Sequence, residues 1–227
     1  YEQGAAPEHA GAAVGIDVGL HHLLALSDGT IIDNPRWLRD ALTQKRRLNR
    51  KLSRQKKGSG RWYDTVKAVA TLDGRIAERR SYFWHTVTDM LTKRYSLIAI
   101  EDLTLDFMIK NRHLALSASD AALGTFREYL TYKCEERGVT LIAVPPAYTS
   151  QICSGCGEVA KKKLSERTHR CGSCGLELDR DVNAAINILN IATKTAVQAV
   201  QDVTQASGSY VSCERPKTSP VATGIAQ

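Results

Sequence analysis

Two cysteine pairs, Cys153-x2-Cys156 in "ICSGCG" and Cys171-x2-Cys174 in "RCGSCG", stand directly ahead of the segment "LELDRDVNAAINIL". This is the spacing of a four-cysteine zinc site. Two residues between ligands let each pair grip one metal from a tight knuckle turn, and Gly155, Gly157, Gly172 and Gly175 supply the backbone freedom. One such pair alone would leave thioredoxin-like redox chemistry open; two matched knuckles point to a single Zn2+ on Cys153, Cys156, Cys171 and Cys174. Four thiolates complete a tetrahedron and leave no position for a substrate, so this zinc is expected to be structural. Six cysteines in 227 residues, four of them so arranged, do not read as a secreted disulfide framework and fit a reducing, cytoplasmic setting. Cys134 and Cys213 read as small apolar residues or free thiols.

Around this module the sequence alternates strand and helix patterns. "VGIDV" (14–18) is a short apolar run broken by Asp17, and Asp28-Gly29 between two further apolar runs has the chemistry of a hairpin turn. Three successive strands are expected, near 13–18, 22–27 and 30–33. From Pro35 the period becomes helical: Leu38, Leu42, Leu48 and Leu52 fall near one face. "KKGSGR" (56–61) breaks the segment, and a second helix is expected over 62–94. Its apolar seam is read as Trp62, Val69, Ile76, Phe83 and Met90, every seventh residue, with Val66 and Val87 between. "SLIAIEDL" (96–103) and "VTLIAVPP" (139–146) read as buried strands, separated by a helix over 117–137 that stops at Gly138. A last helix is expected from about 180 to 203. Residues 1–13 and 205–227 lack periodicity and read as disordered.

The charge is uneven. The chain carries a formal +7, yet residues 36–67 hold twelve Lys/Arg against Asp40 and Asp64 alone. Lys45, Arg46, Arg47, Arg50, Lys51, Arg54, Lys56 and Lys57 are candidate phosphate contacts, because a polyanion is the natural partner of such a surface. Lys161, Lys162 and Lys163, between the knuckles, read equally well as a solvated loop or as a nucleic-acid contact. No apolar run approaches the length of a membrane span, and the first residues lack the apolar core of a signal peptide. The chain does not begin with Met, which reads as a portion of something longer.

Three acids sit where a carboxylate is unfavourable unless used. Asp17 interrupts an apolar strand, Glu101 ends "LIAIE", and Asp181 lies in the first turn of the last helix. Helix starts favour Asp in any case, so Asp181 and Asp179 are both candidate caps. Two acids from strand ends and one from a helix start can nevertheless converge at one sheet edge. There they could hold two Mg2+ or Mn2+ ions for an in-line phosphodiester displacement.

"GIDVG", "IEDL", "CSGCG…CGSCG" and "DRDVNAAINI", in this order, resemble the nuclease half of the TnpB/OrfB family, which is encoded by insertion sequences and related to the type V CRISPR effectors. The resemblance runs from about Val14 to Ala192. It implies an α/β, RNase H-like (RuvC-like) mixed sheet with flanking helices over 14–149 and 177–204. It further implies a long helical hairpin insertion at 36–94 and an inserted zinc ribbon at 150–176. Asp17, Glu101 and Asp181 match the family's metal-binding catalytic acids, with Asp181 preferred to Asp179 because it occupies the acid of "DxNAAxN". Asn183 and Asn187, four residues apart on one helical face, are then donors that either support these acids or serve a structural role. The implied activity is that of a metal-dependent, RNA-guided DNA endonuclease, prokaryotic and nucleoid-associated when bound to DNA. Its DNA target and guide RNA would be recognised in part by an N-terminal half that this chain lacks. The segment after "IEDL", "TLDFMIKN", departs from the family's glycine-bearing basic stretch, which leaves a silent nucleic-acid-binding module as the alternative.

Overall fold

The computed structural model describes residues 11–103, 111, 114–146, 149–159 and 166–208, with 199–208 as backbone alone. Seven strands and five helices are described: β1 (Ala13–Val18), β2 (His22–Leu26), β3 (Ile31–Asp33), α1 (Trp37–Ser53), α2 (Gly60–Arg94) and β4 (Leu97–Glu101) come first. They are followed by α3 (Ala115–Ala121), α4 (Leu123–Arg137), β5 (Thr140–Val144), β6 (Thr168–Arg170), β7 (Glu177–Asp179) and α5 (Arg180–Gly208).

Five strands make one mixed sheet in the order β3-β2-β1-β4-β5. β1, β2 and β3 pair antiparallel through tight turns. The central pairs β1–β4 and β4–β5 are parallel, with Ile16 opposite Ile100 and Ile100 opposite Ala143. Parallel pairing places the C-terminal ends of β1, β4 and β5 along the same edge. Because side chains alternate along a strand, each strand's sequence assigns its residues to one of two faces. Val14, Ile16, Ile98 and Ile100 join Trp84, Val87, Leu91, Phe126 and Leu130 in the larger core, which packs α2 and α4 on one face. Each such side chain contributes roughly 1.5–3 kcal/mol by leaving water. The opposite parity puts Gly15 and Asp17 of β1 and Ala99 and Glu101 of β4 on the other face. There Ala99 and Val144 pack against Ile188 and Ala192 of α5.

α5 lies unusually near the sheet. A Cβ built on Gly15 would fall 2.0 Å from the carbonyl oxygen of Ala185 and 2.7 Å from the amide nitrogen of Leu189. Only hydrogen fits there, and the fully buried Ala184 and Ala185 keep the helix side equally thin. Contacts divide the chain into a unit ending at Thr193 and a second beginning at Lys194. In the described residues the second is the remainder of α5, helical to Gly208 and so five residues longer than the sequence pattern suggests.

Two expectations for the helices are corrected. The segment 117–137 is two helices, broken where Ala122 takes a left-handed conformation (φ 49°, ψ 44°). In α2 the heptad seam does not persist: Ile76 and Val87 are buried as expected, but Met90 is exposed and Phe83 half-buried, and Trp84 and Leu91 take the core positions beside them. A straight α-helix turns about 20° short of a full repeat every seven residues, so a core-facing stripe drifts off a strict heptad. The hairpin of α1 and α2 is anchored by a buried carboxylate. Asp120 of α3 accepts from the backbone amides of Leu38 (2.9 Å) and Arg39 (3.2 Å) and pairs with Arg80 of α2 at 3.0 Å. It thereby caps α1 from outside, where Arg36, with a left-handed backbone, offers no side-chain cap of its own.

Gly15→Ala is expected to lower unfolding free energy by about 2–4 kcal/mol, because backbone rather than a flexible side chain must yield. Urea denaturation would measure it. A change below about 0.5 kcal/mol would mean that α5 does not pack as described.

Candidate metal and nucleic-acid site

Asp17 and Glu101 reach the shared strand edge one position beyond the paired Ile16 and Ile100, on the face that α5 covers. Asp181, in the first turn of α5, arrives at the same place. Asp17 is half-buried, and its carboxyl is pushed up to about 7, first by burial and then by the negative charges of Asp181 and Glu101. Arg180 and the backbone amide of Val18 offset only part of this. The structure thus brings together all three acids singled out in the sequence, close enough for two of them to act electrostatically on the third. Glu101 accepts a hydrogen bond from the Thr149 hydroxyl. Asp181 stands 3.7 Å from the Arg167 guanidinium.

The start of α5 separates its two candidate caps. Asp179 Oδ1 accepts from the amides of Asp181 (2.8 Å) and Val182 (3.2 Å), so Asp179 is the N-cap. Asp181 is therefore free of that task. Asn183 and Asn187, both buried, turn toward the first knuckle rather than toward the acids. Asn183 donates to the Ile152 carbonyl (2.8 Å) and accepts from the Ser154 amide (2.9 Å). Asn187 donates to the carbonyls of Thr149 (2.8 Å) and Ile152 (2.7 Å). Their work is to tie the knuckle to the helix.

The knuckles are near-copies. In one, the Cys153 amide donates to Glu158 and the Gly157 amide to Cys153, both at 2.9 Å; in the other, Cys171 and Gly175 repeat the pattern at 2.9 and 3.0 Å. Gly157 (φ 80°) and Gly175 (φ 75°) close the two turns in a left-handed conformation. The sulfurs of Cys153 and Cys174 lie 3.6 Å apart and those of Cys156 and Cys171 3.5 Å apart. A ZnS4 tetrahedron with bonds of about 2.3 Å has edges of about 3.8 Å, so the donor set fits one zinc ion. Backbone amides of Cys174 and Ser173 hold the Cys171 thiol down to about 6, while Cys156 is pushed up to about 12 and Cys174 upward, the sulfurs sharing protons with one another when no metal is bound. Among the described residues these four form the one group of three or more His, Cys, Asp or Glu whose ligand atoms all lie within 4.8 Å of one another. The carboxylate oxygens of Asp17, Glu101 and Asp181 are spread more widely than that.

Of the basic candidates, Arg46, Arg47, Arg50, Lys51, Arg54, Lys56 and Lys57 are exposed, and α1 buries no residue at all. Arg46, Arg47, Arg50, Lys51 and Arg54 line an open trough of about 950 Å³. Lys45 differs: it turns to α2 and pairs with Asp73 at 2.7 Å. Lys161, Lys162 and Lys163 lie outside the described residues, as do most of "TLDFMIKN" and residues 1–10 and 209–227. No described helix is long and apolar enough to cross a membrane. Thr149 and its bond to Glu101 carried no sequence signal, since nothing in a lone threonine four residues before Cys153 points to a strand 48 positions earlier.

Two family models match the chain: "Probable transposase" over residues 1–112 and "Cas12f1-like, TNB domain" over residues 124–188. A "Putative RNA-guided DNA endonuclease" of Streptomyces pristinaespiralis is 39% identical over 180 residues, covering 78% of this chain and 44% of that protein. "Putative RNA-guided DNA endonuclease InsQ" of Escherichia coli K12 is 36% identical over 216 residues, covering 88% and 53%. The chain thus spans about half the length of these relatives. In solved structures, the Cas12f1 chain of a complex with single-guide RNA and target DNA has a TM-score of 0.55 at 19% identity, covering 81% of this chain and 50% of that one. That likeness concerns the fold. Motifs, family models and relatives agree, and the chain belongs to the TnpB/OrfB family.

Proposed function

We propose that this chain is the nuclease portion of an RNA-guided, mobile-element-encoded DNA endonuclease, with an RNase H-like (RuvC-like) core and an inserted zinc ribbon. The observation that carries the reading is the crowding of Asp17 by Asp181 and Glu101 at one sheet edge. Three carboxylates drawn from two strands and a helix, with Arg180 and Arg167 as the opposing charges that the described residues show, are unfavourable without further positive charge. Asp17, Glu101 and Asp181 would hold two Mg2+ or Mn2+ ions. Such ions, when bound, activate water and stabilise the leaving oxygen of a phosphodiester. The chain's own part is to fix the three acids on rigid elements, to seat the α5 start with Asp179, and to bind phosphates through the exposed cations of α1. Relatives bearing the name RNA-guided DNA endonuclease support DNA as the strand that is cut and RNA as the guide. Cys153, Cys156, Cys171 and Cys174 would hold one structural Zn2+.

Cleavage of end-labelled single-stranded DNA with Mn2+ is expected from the chain, assayed alone and joined to the rest of its reading frame with guide RNA. Asp181→Asn is expected to lose at least about a hundredfold in rate while still binding DNA. Equal cutting by both proteins would remove Asp181 from the site, and silence in both settings would leave a binding module.

Asp17 also predicts a pH dependence. An acid whose value is raised on folding takes up a proton in the folded state between its ordinary value of 3.8 and about 7. Stability of the cation-free protein should therefore fall as pH rises through that window, by on the order of 4 kcal/mol. Asp17→Asn should remove this component, and saturating Mn2+ should offset it. Parallel urea-unfolding curves of pH dependence for the parent and Asp17→Asn would count against the crowded site.

Binding to single-stranded DNA should weaken linearly with log salt. Replacing Arg46, Arg47 and Arg50 by Gln should reduce that slope by roughly 2. Lys45→Gln should change the slope little, and an effect equal to that of the arginines would show that its pairing with Asp73 is not kept.

A further inference from the structure

The acids and the cysteine module are joined by a short run of buried hydrogen bonds. Glu101 is the longest of the three acidic side chains, with three rotatable bonds, and leaving it free would carry a large rotamer-entropy penalty on ordering. Asp17 and Asp181 are shorter and sit directly on a strand and a helix start. Glu101 is the acid that needs an external hold, and the Thr149 hydroxyl donates to its Oε1. Thr149 is itself 6% exposed. Its backbone carbonyl accepts from Asn187, which with Asn183 also grips the Ile152 carbonyl, immediately before Cys153. Asn183 further accepts from the Ser154 amide, inside the knuckle. One helix therefore carries Asp181 toward the strands and, two and six residues later, the two asparagines toward the cysteines.

We propose that Thr149 is a positioning residue that orients the Glu101 carboxylate for a divalent cation, and that the metal-loaded cysteine module holds Thr149 in place through Asn187. This rests on the reading of Asp17, Glu101 and Asp181 as a cation site. It gives the zinc module a second role: besides stabilising its own turns, it sets the geometry of an acid 52 positions before its first cysteine. Hydrogen-bond partners behind metal ligands commonly change affinity by about 10–100-fold when removed, and this is the size of effect expected here.

The test is Mn2+ titration of the 227-residue chain, followed by electron paramagnetic resonance of the free ion, with zinc content measured on the same samples. Asp181→Asn defines which Mn2+ binding belongs to the acids. Thr149→Val, which keeps shape and backbone but not the hydroxyl, should weaken that binding about tenfold or more with zinc content unchanged. Thr149→Ser should restore it. Cys174→Ser should lose zinc and weaken Mn2+ binding, and should add little in the Thr149→Val background, because both act through the same contact. Parent-like Mn2+ binding by Thr149→Val, while Asp181→Asn has lost it, overturns the positioning role. Loss of zinc from Thr149→Val overturns it too, by making Thr149 a knuckle residue alone. Parent-like Mn2+ binding by zinc-free Cys174→Ser overturns the coupling to the module. If Asp181→Asn binds Mn2+ as the parent does, the cation site itself fails, an outcome distinct from the others.

Discussion

The near-contact between α5 and β1 at Gly15 is the constraint on which the candidate site depends. A strand and a helix ordinarily stand apart by the thickness of their side chains. Here a glycine faces Ala185 across a gap with no room for a methyl group. The approach is what lets a helix start and two strand ends share one small region. Moving α5 outward by the width of a methyl would carry Asp181 away from Asp17 and would loosen the Ile188 and Ala192 contacts with Ala99 and Val144. Packing and electrostatics oppose one another at this point. Apolar burial along α5 pulls the helix onto the sheet, and in doing so presses Asp181 toward Asp17 and Glu101. The raised Asp17 carboxyl records that opposition. A site that is electrostatically uncomfortable without a cation, and held by a core that does not give way, is suited to bind one.

The two faces of α5 explain why a cysteine module sits where it does. The face bearing Ala185, Ile188 and Ala192 packs on the sheet, while Asn183 and Asn187 grip residues 149–154. Asp179, the last residue of β7, caps the helix, so the module's small sheet leads straight into the residue that starts α5. The position of Asp181 is thus fixed from two sides, by the main core and by the module. The hairpin of α1 and α2 is attached differently, through the buried Asp120 that caps α1 and pairs with Arg80, and its outward surface is left for the exposed arginines and lysines.

Much of this was legible in the sequence because it follows from local rules. Asp17 interrupting "VGIDV" and Glu101 ending "LIAIE" mark two strand-end acids that could share one sheet edge, and the knuckle glycines mark the turns beside the sulfurs; the register that sets both acids on one face comes from the pairing of β1 with β4. What was not legible depends on partners distant in sequence or on slow geometric drift. The cap of α1 comes from Asp120, some 80 positions away, and no pattern near Arg36 announces it. The seam of α2 leaves the heptad because a straight helix has no coiled partner to hold the 3.5-residue period along its length. Ala122 breaks a helix whose sequence has no glycine or proline at that point, although the Trp84 indole donates to the neighbouring Ala121 carbonyl at 2.9 Å and satisfies one group at the break. The four-residue spacing of Asn183 and Asn187 marks one helix face and left support of the acids and a structural role both open; which of the two applies depends on the knuckle, whose backbone takes their bonds.

The most direct test of the central claim, that α5 and the two strands build one divalent-cation site, is anomalous X-ray scattering from crystals of the chain soaked in Mn2+. Anomalous density bounded by Asp17, Glu101 and Asp181, and absent in Asp181→Asn crystals, is the predicted result. Manganese found only at the cysteines or on the surface, with the three carboxylates apart, would contradict the account.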